Sequence, residues 1–479
     1  MRTRGILAGG AIGIRRLFRP AQTLLVAVGL VSLLAGVAVA GQAPPSASVK
    51  PRLAVIPFSG SADSLPEGYG AVPSQGIHSA LKQMRALRVV ESGEIAAALG
   101  RLGLSLSAPL TDEALLRLAR DLQVRGLIAG TYAAEGETVR IQARLVDLAG
   151  PGQFIEGEAI SSPAGEFLAA PRRIAGIALQ QFRTRLTEWD ERRLETAFVP
   201  GTTSLHAYAL YARAAWEQGL GTKDGQERAV GLFTKALEAD QNFAQAHMAL
   251  GVSLYATSTT GNPSNRWKAS QEYRKAIQLD SKLAEAHKLL GDMLVTSPRR
   301  LYDQAAQAYQ AAIEIWPDYA EARVGLGDAR QAKGQHDEAI EEYKKALAIE
   351  PSNARVHLGM GKIYYNEKQL YHEAVAAYQQ AIALDPKLLD AHLSLGELYE
   401  EKGLYQDAVA RYGHVLSVEP KHPGAMYGLA LAYEKLDVKK AMAQWEQYIE
   451  LASQLPSEKD WVDIAKKHLG KLQRGEKPN

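Results

Sequence analysis

No cysteine occurs in the 479 residues. The absence excludes disulfides, thiolate metal sites, cysteine nucleophiles and a lipidated amino-terminal cysteine. It suits an oxidising compartment, where a stray thiol is a hazard. A dominant charge is missing too. The formal net charge is +2, but residues 1–40 hold five arginines (Arg2, Arg4, Arg15, Arg16, Arg19) and no acid. The remainder carries 50 basic against 53 acidic residues, so there is no electrostatic footprint for nucleic acid.

Catalytic patterns are equally scarce. No H-E-x-x-H, G-x-S-x-G or C-x-x-C is present. Ser79-Ala80-Leu81-Lys82 is an S-x-x-K, but neither S-D-N nor K-T-G accompanies it. Gly359-Met360-Gly361-Lys362 lacks the spacing and the Ser/Thr of a phosphate loop. The expectation is a chain that is not an enzyme, with no cofactor and no metal.

What the chain does have is a period. Ala229, Ala269, Ala305, Ala339, Ala374, Ala408 and Ala441 recur at spacings of 40, 36, 34, 35, 34 and 33 residues. Four residues after each stands an aromatic: Phe233, Tyr273, Tyr309, Tyr343, Tyr378, Tyr412 and Trp445. Small residues at Ala212, Gly251, Gly291, Gly327, Gly361, Gly396 and Ala430 mark where a first helix, A, crosses a second, B. Pro317, Pro351, Pro386 and Pro420 end the second helices, because proline lacks the N–H and clashes with the preceding turn. These positions resemble the tetratricopeptide repeat, in seven copies over residues 204–452, followed by a capping helix with Trp461, Ile464, Ala465, His468 and Leu472 within 453–479.

Ahead of the repeats the pattern changes. Arg15 to Arg19, the uncharged apolar stretch Ala21 to Ala40 and the small-x-small site Ala38-Val39-Ala40 read as an export segment over residues 1–40, cleaved before Gly41 or retained as a membrane anchor. Residues 41–50, rich in Pro, Ser and Ala, read as a flexible linker. Residues 51–188 alternate strands and helices. Leu53 to Phe58 and Leu87 to Val90 are short buried strands, Ile77 to Met84 is helical, and Ser92 and Thr111-Asp112 cap two further helices. A hairpin turns at Glu135-Gly136-Glu137, Gln153 to Ile160 adds a strand, and a helix from Gly165 to about Thr187 closes the unit. Residues 189–203 read as a linker.

The order Leu53-Ala54-Val55-Ile56-Pro57-Phe58, Leu87-Arg88-Val89-Val90, Ala119-Arg120-Asp121-Leu122, Gly126 to Thr131 and Val139 to Asp147 resembles the amino-terminal domain of the periplasmic protein TolB. That module also precedes tetratricopeptide repeats in other bacterial proteins and occurs with some cyclases, and the curli-secretion component CsgG starts similarly. No β-propeller follows here, unlike TolB, and the resemblance brings no catalytic residues. The expected fold is therefore α+β and multidomain: a small mixed α/β unit followed by an all-α superhelical solenoid.

His247, His287, His357 and His392 share one repeat position, but they are a repeat apart, too far to share a metal ion with bonds near 2 Å. In tetratricopeptide proteins the ligand lies along helices A. The matching positions here include Arg213, Asp292, Asp328, Lys362 and Glu397, extended by Trp216, Tyr255, Tyr365 and Glu400 on the next turn and by Met248, Lys288 and Tyr427 on the preceding one. The paired Lys and Asn of the carboxylate clamp are missing, which argues against chaperone-tail binding. Aromatics with acids suit an extended segment bearing apolar and basic residues.

The function expected is an adaptor of the cell envelope, periplasmic or exported, holding protein or peptide partners in the groove. Nucleic acid is excluded, and membrane contact is confined to residues 21–40 if uncleaved. The rival expectation is a sensory or regulatory module with a small ligand in the α/β domain.

Overall fold

The computed structural model describes residues 50–476, apart from 61–69, 107–108, 136–137, 150–151, 197–199 and 261–263. The export segment, most of the first linker and the tip of the hairpin lie outside the described residues. Among the described residues no helix is long and apolar enough to cross a membrane. The chain forms two compact units, 48–329 and 330–479.

The first unit opens with a six-stranded mixed sheet. Strands β1 (Arg52–Val55), β2 (Ser59–Gly60), β3 (Arg88–Val89), β4 (Gly126–Glu135), β5 (Thr138–Asp147) and β6 (Gln153–Pro163) lie in the order β3-β1-β4-β5-β6, with β2 also on β4. β1 is parallel to β3 and β4, with Leu53 opposite Val89 and Gly126, whereas β4, β5 and β6 are antiparallel. Successive side chains of a strand point to opposite faces, so β1 feeds two cores. Leu53 and Val55 join Ile77, Ile141, Leu145 and Ile174 under helices α1 (Ala71–Lys82) and α4 (Ala170–Gln181). Ala54 and Ile56 join Leu118, Leu127 and Val146 under α2 (Ser92–Leu102) and α3 (Asp112–Asp121). The closing helix is shorter than expected: residues 164–169 form a 3-10 turn, and Pro171 sits at the start of α4, where a missing N–H costs nothing.

A second difference lies in the segment read as a linker. Glu188–Thr196 is helix α5. It begins with a reciprocal cap: the Asp190 N–H donates to Thr187 Oγ1 at 3.2 Å and the Thr187 N–H donates to Asp190 Oδ2 at 3.0 Å. Asp190 is fully buried, and its other oxygen accepts the Arg85 N–H at 2.7 Å, tying α5 to the end of α1.

Nor does the first core stop at the sheet. It continues through Tyr208, Ala209 and Ala212 of α6 (Leu205–Gly219), and Phe243 before α8, so the α/β layer and the first helical repeat share one interior. Antiparallel pairs follow in the first unit: α6 with α7 (Lys223–Ala239), α8 (Ala244–Thr260) with α9 (Ser264–Leu279), and α10 (Ala284–Val295) with α11 (Tyr302–Ile315). α12 (Ala320–Ala332) spans the boundary between the units and precedes α13 (His336–Ile349). The second unit adds α14 (Ala354–Asn366) with α15 (Tyr371–Leu384), α16 (Leu389–Glu401) with α17 (Tyr405–Val418), and α18 (Pro423–Leu436) with α19 (Val438–Ala452), closed by α20 (Lys459–Gln473).

The periodic aromatics hold these pairs together, each packing against small residues. Tyr309 lies against Gly291 of its own pair and Gly325 of the next A helix; Tyr412 lies against Gly396 and Gly428 in the same way. A methyl group at Gly291 or Gly396 would stand 2.7 Å from the ring, closer than packing allows. In the cap, Val462, Ala465 and Leu472 are buried against Trp445 and Tyr448, whereas Ile464 turns outward.

Candidate functional site

The residues expected to line a groove on helices A fall into three groups. In the first unit, Arg213 and Trp216 are half-buried. They line a cleft together with Val55, His78, Glu91 and Ser92 of the α/β layer. Ser92 Oγ donates to the Trp216 carbonyl at 2.8 Å, and Gly93 abuts the Gly219 and Leu220 carbonyls, where a Cβ would come within 2.9 Å. Further along, the Arg85 guanidinium lies 4.0 Å over the Trp189 ring and donates to the Asp318 carbonyl. Trp189 stacks on Trp316 at 5.8 Å, and Arg193 lies 4.3 Å over Trp316. The early helices A therefore carry the α/β layer itself.

The second group supports the repeats internally. Met248 is buried in the core between helices, because its turn of α8 faces inward, so it cannot meet a ligand. Tyr255 places its hydroxyl 3.3 Å from Thr296 Oγ1, beneath Arg266 at 5.4 Å. Lys288 Nζ is 2.7 Å from Asp292, which also accepts the Tyr309 hydroxyl at 2.8 Å. Asp328 differs from these in being exposed, on α12.

The third group gathers in the second unit. Tyr365 on α14 donates its hydroxyl to Glu401. On α16, Glu400 accepts the Tyr412 hydroxyl at 3.2 Å. Burial pushes the Glu400 carboxyl up to about 7, with the like charges of Glu397 and Glu434 adding to the effect and the Tyr412 hydrogen bond opposing it. Glu397 is exposed as a whole residue, yet the protein around its carboxyl raises its pKa as well, against the pull of Lys362. Tyr427 on α18 is half-buried, its ring edge-on to Trp445 at 5.0 Å and to Trp461 at 5.4 Å. The structure thus brings Tyr365, Glu397, Glu400 and Tyr427 onto consecutive A helices of one unit, with Lys362 beside Glu397.

Two features escaped the pattern reading. Glu401 and Glu434 belong to the same acidic neighbourhood, and Glu434, 6% exposed, holds the cap by accepting Trp445 Nε1 and His468 Nδ1, each at 2.8 Å. Three of the four shared-position histidines are turn braces. His247, His287 and His392 each place Nε2 at 3.1–3.2 Å from the carbonyl six residues earlier, on Gln241, Ser281 and Pro386, and Arg323 donates to the Pro317 carbonyl in the same way.

Comparison with known proteins addresses the helical part. A TPR repeat model matches residues 327–368 and 365–403, and two further tetratricopeptide repeat models match 300–343 and 393–456. Residues 300–456 are tetratricopeptide repeats. A curated relative, the putative adenylate cyclase 3 of Rhizobium meliloti (strain 1021), is 25% identical over 215 residues. The match covers 45% of this chain, which spans only 34% of that relative. Among solved structures, MamA is 30% identical, covering 34% of this chain and 91% of its own, with a TM-score of 0.30. PilF of Pseudomonas aeruginosa is 23% identical, covering 45% and 94%, with a TM-score of 0.38. YrrB, described as a TPR protein with an unusual peptide-binding site, is 21% identical, covering 41% and 99%, with a TM-score of 0.33. TPR proteins mediate protein–protein interactions, and this chain carries the repeats that do so.

Proposed function

We propose that this protein is a non-enzymatic adaptor of the cell envelope that binds a protein or peptide segment on the A helices of residues 354–436. The carrying observation is Glu400, a groove carboxyl held up to about 7 beside Glu397 and between tyrosines. A lysine or arginine from a partner relieves that repulsion, while Tyr365 and Tyr427 offer flat apolar faces to its neighbours. The ligand class is an extended segment with basic and apolar residues. Envelope location is supported by the export segment at residues 1–40 and by the TolB-like order of the α/β elements.

Fluorescence anisotropy with a labelled basic–apolar peptide tests the groove. Glu397→Lys with Glu400→Lys is expected to weaken binding at least tenfold. Because Glu400 must be ionised to hold a cation, affinity should rise roughly fivefold between pH 6 and pH 8. Unchanged affinity in the charge-reversed protein would reject the groove. Fractionation that leaves the chain in the cytoplasm would reject the location.

A regulatory reading, with a small ligand in the α/β layer, is favoured by one observation: the cleft beside α6.

A further inference from the structure

Of the six tryptophans, Trp189, Trp216, Trp316, Trp445 and Trp461 are buried or half-buried. Trp267 is 67% exposed, the most open of the large apolar side chains among the described residues. One exposed apolar side chain is ordinary on a protein surface, so its setting decides whether it matters.

That setting is α9, the helix B of the second repeat. Ala269, Tyr273 and Ala276 are buried toward α8 and α10. Away from them, Lys268, Gln271, Arg274, Lys275 and Gln278 are all exposed. Steps of three and four residues put Trp267, Gln271, Arg274, Lys275 and Gln278 on one side of the helix, with Lys268 at its edge. The helix holds four basic residues against one acid. That acid, Glu272, is half-buried and turned to His247 of α8 at 2.6 Å. Arg266 is committed as well, donating to the Met293 carbonyl at 3.1 Å and to Thr296 Oγ1 at 2.8 Å. Lys268, Arg274 and Lys275 have no ion-pair or hydrogen-bond partner among the described residues. In α7, α11, α13, α15, α17 and α19, basic residues never outnumber acids. The exposed tryptophan and the net positive helix B are one element.

We propose that this face of α9 docks on an anionic lipid surface, with Lys268, Arg274 and Lys275 against headgroup phosphates and Trp267 in the interfacial layer. An indole suits that layer, because its ring is apolar while its N–H still reaches water or a headgroup. Each cation close to an anionic surface strengthens binding about fivefold, and no exposed acid on α9 opposes it. An acidic protein would match the charge but not the surroundings. The exposed neighbours of Trp267 on α9 are polar, whereas a protein interface buries a core of apolar residues. One indole and three cations make a weak, reversible contact that orients a chain already near the membrane. It adds to the contact expected from residues 21–40 and does not depend on the peptide groove.

The test uses the full chain with vesicles of phosphatidylcholine, pure or mixed equally with phosphatidylglycerol, both carrying brominated acyl chains that quench indole on contact. Residues 1–40 have arginines and an apolar stretch of their own, so attachment by itself decides nothing. The readout is the quenching of Trp267, taken as the difference between the unaltered protein and Trp267→Phe. That difference is expected on phosphatidylglycerol and should be at least tenfold smaller on phosphatidylcholine. Raising salt from about 0.1 M to about 1 M should remove it. Lys268→Gln with Arg274→Gln and Lys275→Gln should remove it too, with Tm unchanged, because all three side chains are exposed. Glu397→Lys with Glu400→Lys should leave it intact, which separates this face from the groove. Equal quenching of the unaltered protein and Trp267→Phe on phosphatidylglycerol overturns the proposal. So does Trp267 quenching that persists in the triple variant or is as strong on phosphatidylcholine. Trp267 emission that responds to polyglutamate and not to vesicles assigns the face to an acidic protein and overturns it as well.

Discussion

Tyr412 on α17 donates its hydroxyl to Glu400 on α16 across 3.2 Å, and burial and neighbouring acids nonetheless keep that carboxyl near 7. Unfolded, the same group titrates in the ordinary range near 4.3. Between those values the folded chain binds the proton more tightly than the unfolded one. Stability from Glu400 is therefore fully present below about pH 4 and is lost as pH rises through 7. Glu400→Gln should remove the dependence, making the variant more stable than its parent at pH 8 by on the order of 1 kcal/mol, since partial exposure screens the charge. Urea melts at pH 5 and pH 8 would show it. A parent whose stability rises between these values, with no change in the variant, would contradict the assignment.

The aromatic packing predicts opposite signs for one substitution. Gly→Ala in a helix gains about 1 kcal/mol of intrinsic propensity. At Gly396 and Gly428 the added methyl meets the Tyr412 ring, and overpacking costs about 1–3 kcal/mol. At Gly413 and Gly231 a Cβ meets nothing within 4 Å. Thermal melts should place Gly396→Ala and Gly428→Ala below the parent and Gly413→Ala and Gly231→Ala above it.

Glu434 joins three helices through one carboxylate, α18 to Trp445 on α19 and His468 on α20. Glu434→Leu leaves the buried indole N–H without its acceptor and should cost about 2–3 kcal/mol. Hydrogen exchange should register the loss first in residues 459–473. Protection of α20 equal to that of the parent would refute this role.

Trp189 is sandwiched between the Arg85 guanidinium and the Trp316 ring. Trp189→Ala removes a stack and a cation–π contact, together about 2–3 kcal/mol. Exchange should quicken in α5, whereas α14 to α20 should keep their protection.

The helical repeats were legible because a ring and a small residue at fixed spacing describe one repeat's own packing. The second glycine, at Gly325, Gly359 and Gly428, was visible but not interpretable, because the ring it faces belongs to the preceding repeat. Helix α5 carried a readable signal, Thr187 followed three residues later by Asp190, yet its polar face resembled a linker. The seating of α6 on the sheet edge had no sequence signal. It depends on Gly93 meeting Gly219 and on Ser92 finding a backbone carbonyl, and such matches exist only once both surfaces are folded. For the same reason, Arg213 and Trp216 resembled groove residues and proved to line a cleft.

An aromatic held between glycines of successive repeats belongs to two repeats at once. Excising one whole repeat in register brings an equivalent ring against an equivalent small residue, and the new joint has the same form as the old. A cut out of register strands a ring with no seat. The gene can therefore lengthen or shorten this array by recombination only in whole steps, and each step moves the last A helix, with whatever it binds, by one fixed stride.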